Sequence, residues 1–320
     1  MFTLVQKRRY FFAISGTVIV IGLVIMLYSL VTTGSLFNLS NDFVGGSIYE
    51  FSFTGPGADE ASIRQAFVDN GNSDITVQRV GEPAENRWSV RASFQDVATS
   101  EAIQAQLNTL APLDAERSRV AQVSPAVGAE VTRAAIGAVA VAALVVTGFI
   151  LLAFRRVPHA LRYGVSAIIA MLHDVLVVAS IMAIASLLFG WQADVLFLTA
   201  VLTVVGFSVQ DTIVVFDRIR ENIVRNLGEP YETIVNRSLI ETLHRSLATQ
   251  LNAFFIMAAI LLFGGPSIRQ FIAILFLGML TGTYSSIFIA SPVLVAWEKG
   301  EIPFVNQRRK KTALTEGEAA

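Results

Sequence analysis

Asp211 interrupts an otherwise apolar stretch that runs on into Asp217, Arg218, Arg220 and Glu221, a cluster marking a water boundary. At about 1.5 Å per residue in a helix, Asp211 lies roughly 9 Å deeper than Asp217, within hydrocarbon if the stretch spans a membrane. A charged side chain there costs about 2.5–3.5 kcal/mol or more, so it marks a functional site by default. The next apolar run, Ala253 to Phe263, is too short to cross about 30 Å of hydrocarbon by itself. A spanning helix must therefore begin near His244, which draws Arg245, Thr249 and Asn252 into the membrane. Their i, i+4, i+7 spacing puts them on one helix face. That face should meet other helices or a water-filled cavity. The chemistry implied is reversible proton binding at Asp211 beside a fixed guanidinium at Arg245, since changes in solvation can switch proton binding. A static ion pair between two helices, or an Arg245 that snorkels to the interface, is the structural alternative.

Other polar side chains at membrane depth fall into lesser groups. His173 and Asp174 stand near the middle of an apolar run and point about 100° apart on a helix, so both should not face lipid. Hydrogen-bonded packing is favoured over a relay for this pair. Gln210 and Thr212 flank Asp211 and, with Thr249 and Asn252, could extend a polar track. Asp217, Arg218, Arg220 and Glu221 read as an interfacial anchor. Gly278 and Gly282 form a GxxxG that lets backbones approach, and Tyr284, Ser285 and Ser286 read as glue between helices. Gly45-Gly46, after Asp42-Phe43-Val44, suggests a turn with unusual dihedrals. No Lys-Ser/Thr follows it, so it is not a phosphate loop. No metal-ligand spacing, HExxH motif or hydrolytic dyad is found, and no cofactor is expected. The chain is not read as an enzyme.

The elements that must hold these residues follow from hydropathy. At 53% hydrophobic residues the chain is too apolar for an ordinary soluble protein. The absence of cysteine removes disulfides, thiolate metal sites and thiol nucleophiles from consideration. Spans of about 20 residues cross a bilayer. The sequence predicts six, at 11–31, 134–154, 164–188, 195–216, 245–263 and 270–296. The first exceeds a normal signal-peptide core and lacks a good cleavage site, so it is expected to stay. Lys7, Arg8 and Arg9, then Arg155, Arg156 and Arg162, then Arg218, Arg220, Arg225 and Arg237, and finally Lys299 and Arg308–Lys311 all fall on one side. Both ends, 1–10 and 297–320, and the loop or amphipathic helix 217–244 are thus expected in the cytoplasm. Arg308–Lys311 reads as a solvated topogenic cluster near lipid rather than a nucleic-acid patch.

On the opposite side lies one domain, 35–127, within an outer segment that reaches 132. Ser47 to Phe53 alternates as a strand, and Ala58 to Asn70 has helical period. Asp74 to Val80 and Arg87 to Phe94 flank the turn signal Gly81-Glu82-Pro83, followed by a helix from Asp96 to Leu110 and a strand from Arg117 to Val123. This β-α-β-β-α-β order is the ferredoxin-like motif. The domain carries no catalytic pattern and reads as a docking or client-binding module.

Several segments together resemble the SecF branch of the SecD/SecF family of bacterial protein-export membrane proteins. They are DFVGGS at 42–47, VGAEVTRAAIGAV at 127–139, HDV at 173–175, VGFSVQDTIVVFDRIREN at 205–222, SLIETLHRSLATQ at 238–250, FGG at 263–265 and GTYSSIFIASPVL at 282–294. The resemblance covers nearly the whole chain. It implies an α-helical polytopic protein with six spans, similar to half of a resistance–nodulation–division transporter, plus the ferredoxin-like extracytoplasmic domain. It also implies location in the bacterial inner membrane and use of the proton-motive force to complete preprotein export after the channel's ATPase has pushed. The partners implied are SecD as a pseudo-symmetric half, the SecYEG channel, YajC and the translocating preprotein. The family's essential aspartate falls on Asp211 and its essential arginine on Arg245. Two positions depart from the pattern: Gln210 replaces the usual Asn, and Gln250 stands where Ser is common. A non-conducting scaffold for the translocon and a half-transporter for a small hydrophobic solute stay open as alternatives.

Overall fold

The computed structural model describes residues 4–301 apart from 56, 74, 81–84, 156–159 and 227. The turn signal Gly81-Glu82-Pro83, Arg156 and the basic run Arg308–Lys311 lie outside the described residues. The chain divides into two compact units, Met1–Asn38 with Val139–Ala320, and Leu39–Ala138.

The smaller unit begins with a short helix, α2 (Asn41–Val44), after the first long helix, α1 (Arg8–Thr33). It continues through β1 (Gly46–Ser52), α3 (Glu60–Asp69), β2 (Ile75–Val80), β3 (Arg87–Ala92), α4 (Val97–Leu110) and β4 (Arg119–Val123). The sheet order is β2-β3-β1-β4 with every neighbour antiparallel, the ferredoxin-like arrangement that the element order implies. Period-two alternation turns Tyr49 and Phe51 of β1, and Trp88 and Val90 of β3, to one face. There they bury against Ile63 and Phe67 of α3 and Ile103 and Leu107 of α4. Each such side chain, fully buried, contributes about 1.5–3 kcal/mol. Both helices start on aspartate caps. Asp59 accepts from Ser62 N at 2.7 Å while Ser62 Oγ accepts from Asp59 N, and Asp96 accepts from Thr99 N at 2.8 Å. Gly45 and Gly46 take φ of 78° and 139°, and a Cβ on Gly45 would meet the Pro125 backbone at 2.8 Å. Only glycine suits that turn.

The larger unit is helical. After α1 come α5 (Pro125–Phe154), α6 (Ala160–Phe189), α7 (Val195–Arg225), α8 (Tyr231–Phe263), α9 (Pro266–Ser285), a π-helical turn (Ser286–Ala290) and α10 (Ser291–Glu298). Among the described residues six helices are long and apolar enough to cross a membrane, which makes this a multi-pass membrane protein. Half of the most apolar window of α6 is buried, against 6% for α5. Thus α6 is a central helix and α5 a peripheral one. Phe154, Tyr163 and Phe216 cluster with Ile219, Val235, Leu239 and Leu294 at the core.

Two features of the bundle differ from the sequence expectation. The helices α7 and α8 run past the apolar stretches, to Arg225 and back to Tyr231, so the segment 217–244 is largely the meeting of two helix ends and α8 does not begin near His244. Hydropathy marks where water begins, not where backbone hydrogen bonding ends. The polar ends bind each other: Arg218 Nε donates to Glu241 Oε2 at 2.6 Å, and Asn222 Nδ2 donates to Ser238 Oγ at 3.0 Å and Glu241 Oε2 at 2.7 Å. Arg218, expected as part of an interfacial anchor, is therefore a link between helices, while Arg220 pairs along its own helix with Asp217 at 2.6 Å. The last span, expected as one helix over 270–296, changes hydrogen-bond register at the π turn. Pro292 has no N–H for the preceding turn, which suits a break in the regular ladder there.

Candidate functional site

Helix α7 starts on Asp194, whose side chain accepts from Phe197 N at 2.7 Å. From that start a buried stripe descends through Ala200, Val204, Ser208, Asp211, Val215 and Ile219 at helical spacing. Asp211 is thus on the packed face, with 6% of its surface exposed. Its side-chain partner is Gln250 of α8, whose Nε2 donates to Asp211 Oδ2 at 2.8 Å. Gln250 is 2% exposed, and its Oε1 is buried with no hydrogen-bond partner, as is Thr212 Oγ1.

This corrects the expectation that Arg245 faces Asp211. Among the described residues no ion pair joins them, and Arg245, Thr249 and Asn252 are not on the packed face: Arg245 and Thr249 are exposed. The buried polar face of α8 is Thr242, Ser246 and Gln250. Adjacent residues differ by about 100° around a helix, so a stripe drawn one residue away selects a different face. Thr249 Oγ1 donates to the Arg245 carbonyl of its own helix at 3.1 Å, and Gln210 is exposed. Arg245 instead lines a cavity of about 490 Å³ together with Asp217, Arg218, Glu221 and Glu241. Val214, one turn from Asp211, forms part of the same wall. A polar vestibule therefore reaches within a helical turn of the buried acid.

A second buried acid sits closer to the bundle centre. Asp174 of α6 is fully buried, and His173 beside it is 7% exposed. Asp174 Oδ1 lies 2.9 Å from His173 Nδ1, and its Oδ2 accepts hydrogen bonds from Ser285 Oγ of α9 at 2.7 Å and from Ser208 Oγ of α7. One carboxyl thereby ties three helices together. The His173 ring stacks on Tyr284 at 6.2 Å, and Tyr284 donates to the Phe11 carbonyl of α1 at 3.3 Å. Ser208 carries no signal in the sequence beyond being a hydroxyl one turn before Asp211. Gln250 is visible there only as a departure from a family pattern.

The two glycines of α9 bring these helices close enough for such bonds. A Cβ on Gly278 would fall 2.4 Å from Val204 Cγ2, and one on Gly282 would lie 3.3 Å from Ser208 Cβ. The GxxxG face of α9 is therefore laid along α7.

At the end of the bundle that carries the basic residues, Arg8 Nη1 donates to Glu232 Oε1 at 3.0 Å and Arg8 Nε to Glu301 Oε2 at 3.0 Å. Lys299 Nζ lies 2.6 Å from the same Glu232 oxygen. The Glu301 carboxyl is held below the usual carboxylate range, chiefly by its hydrogen bond from Arg8. Three chain segments are joined there by one charge cluster.

A six-span bundle with buried carboxyls between helices, plus a ferredoxin-like domain, defines a polytopic membrane protein of transporter-like construction. The family described as "Protein export membrane protein SecD/SecF, C-terminal" matches residues 102–300. The chain belongs to this SecD/SecF family. It is 45% identical over 307 residues to the Protein translocase subunit SecF of Anaerolinea thermophila, covering 94% of this chain and 96% of that one. It is 40% identical over 322 residues to the SecF of Thermobaculum terrenum, covering 98% of this chain and 99% of its relative. Among solved structures, the translocon-associated membrane protein SecDF from Thermus thermophilus superposes with a TM-score of 0.75 at 29% identity. That superposition takes in 93% of this chain but only 39% of the SecDF chain.

Proposed function

We propose that this chain is a proton-motive-force-driven accessory subunit of Sec protein translocation that works beside SecD to complete preprotein export. Family membership supports the role in Sec translocation, and the SecDF likeness supports SecD as a partner. SecYEG, the translocating preprotein and YajC are the further partners of this reading. Both termini lie in the cytoplasm and the ferredoxin-like domain lies outside the bacterial inner membrane, an orientation supported by the one-sided distribution of Arg and Lys.

The observation that carries the energy-coupling part is Asp211, buried in a membrane-spanning helix with one side-chain hydrogen bond, from a neutral amide. Among the described residues no cation pairs with this carboxyl to hold it ionised, and it has no apolar role to justify its cost. Reversible protonation accounts for both. Water in the vestibule lined by Asp217, Glu221, Glu241 and Arg245 would supply and accept the proton. Arg245 acts there as a fixed positive charge at the mouth, not as a direct counter-ion. Gain and loss of the proton would bias two packings of α7 against α8, and the outer domain would follow.

Replacing Asp211 with Asn tests this. Proton-dependent stimulation of export is expected to vanish while assembly with SecD persists. Full stimulation in D211N defeats the proposal, and loss of assembly together with activity favours a non-conducting scaffold.

A further inference from the structure

We infer that Gln250 is a positioning residue for Asp211, its side-chain amide turning end for end as the neighbouring carboxyl gains and loses a proton. The inference rests on the proposed proton binding at Asp211 and adds the residue that reads it.

The two side chains differ in what hydrogen bonds they can offer. An ionised carboxylate only accepts hydrogen bonds, whereas a protonated carboxyl carries one O–H that must donate. A glutamine amide presents two donors at Nε2 and an acceptor at Oε1. In this structure Nε2 faces Asp211 Oδ2 at 2.8 Å, the arrangement suited to the ionised acid. The other end of the amide, Oε1, is buried without a donor, in a side chain only 2% exposed. Rotation by a half turn would present Oε1 to the carboxyl. Between two oxygens such a contact is repulsive unless one carries a proton, so the rotated state suits protonated Asp211. Either orientation leaves one end of the amide unpaired, and neither is locked by a second bond. A buried amide with both ends satisfied would be fixed; this one is poised.

The proton step itself is simple. A proton from water forms the O–H bond on the Asp211 carboxyl, and on release returns to water. No other covalent bond changes, and only hydrogen bonds are exchanged. The ionisable groups on the helices packed around α7 are Arg162, Tyr163, His173 and Asp174 on α6, Tyr231, Glu232, Arg237, Glu241, His244 and Arg245 on α8, Arg269 and Tyr284 on α9 and Glu298 on α10. Asp174 is engaged by His173, Ser208 and Ser285, Glu241 by Arg218 and Asn222, and Glu298 by Arg162. Arg245 and His244 are both exposed. None of these bonds Asp211 directly, which leaves Gln250 as its immediate reader. Because Gln250 belongs to α8 and Asp211 to α7, the rotation couples protonation to the contact between two helices.

The test is infrared difference spectroscopy on the full-length chain reconstituted in lipid vesicles and titrated with acid. The protonated-carboxyl band of Asp211 is assigned by its loss in D211N, and the side-chain amide bands of Gln250 by their loss in Q250L and Q250S. We expect the amide bands to change in step with the Asp211 band. Q250L should displace the titration midpoint by about tenfold in proton concentration, roughly one pKa unit. Q250S, whose hydroxyl can both donate and accept, should restore it to within about threefold. An Asp211 band that titrates while the amide bands stay still, with Q250S and Q250L unshifted, overturns the inference and leaves proton binding intact. Absence of any titrating Asp211 band removes the proposed function and this inference together. The wild-type and Q250S spectra decide between these outcomes even if Q250L fails to assemble.

Discussion

Ser285 of α9 donates its hydroxyl to Asp174 Oδ2 of α6 at 2.7 Å, deep within the bundle. The same oxygen receives Ser208 of α7, so this carboxyl is a junction of three helices, not a free acid. It contrasts with Asp211, which has a single side-chain partner among the described residues.

That junction should be worth more than any one of its bonds. Removing a partner strands buried polar groups, at about 1–3 kcal/mol each, whereas single hydrogen bonds between membrane helices average nearer about 0.6 kcal/mol. D174A, which strands the Ser208 hydroxyl and leaves Ser285 only the Gly282 carbonyl at 3.1 Å, is expected to lower the melting temperature of the detergent-solubilised protein clearly more than S285A does. Equal, small effects from the two variants would show that Asp174 is not a structural knot.

The seam between α9 and α7 gives a second prediction. A methyl group on Gly278 has no room beside Val204, so G278A must push the helices apart or force Val204 off its rotamer. Such overpacking costs about 1–3 kcal/mol. Gly148 of α5 serves as the control, because a methyl group added there would have no described neighbour within 4 Å. G148A should be neutral or slightly stabilising. Thermal melts of both variants check this, and equal melting temperatures would refute the close-packed seam.

Acid should loosen the smaller unit from its helix caps. Hydrogen bonds from Ser62 and Thr99 hold the Asp59 and Asp96 carboxyls below the usual carboxylate range. A carboxylate whose folded value is depressed contributes stability above its unfolded value, near about pH 4, and loses it as pH falls through the folded value. Wild-type protein should therefore lose more stability between pH 5 and pH 2–3 (about the span from above to below those values) than D59N/D96N does. Asparagine caps almost as well but carries no charge to lose. Thermal melts followed through Trp88, buried in this unit, report the difference. Parallel loss in both proteins would show that the caps do not sense pH.

Much of this protein was legible before any tertiary information. Six apolar runs, the β-α-β-β-α-β order and the place of Asp211 within an apolar stretch are all properties of short stretches of chain. Hydropathy, period and turn chemistry act locally, so they can be read locally. The rotation of each helix about its own axis is not a local property. Asp211 meets Gln250 instead of Arg245 because α8 is turned to bury Thr242, Ser246 and Gln250. Five residues along α8 separate those two side chains, which places them on different faces. Likewise, Asp174 became a three-helix junction only once Gly278 and Gly282 let α9 close on α7. The order of residues was enough to say which polar groups stand within long apolar helices. Close packing alone selected which of them touch, because contacts at about 3 Å depend on helix rotation and spacing that no single segment encodes.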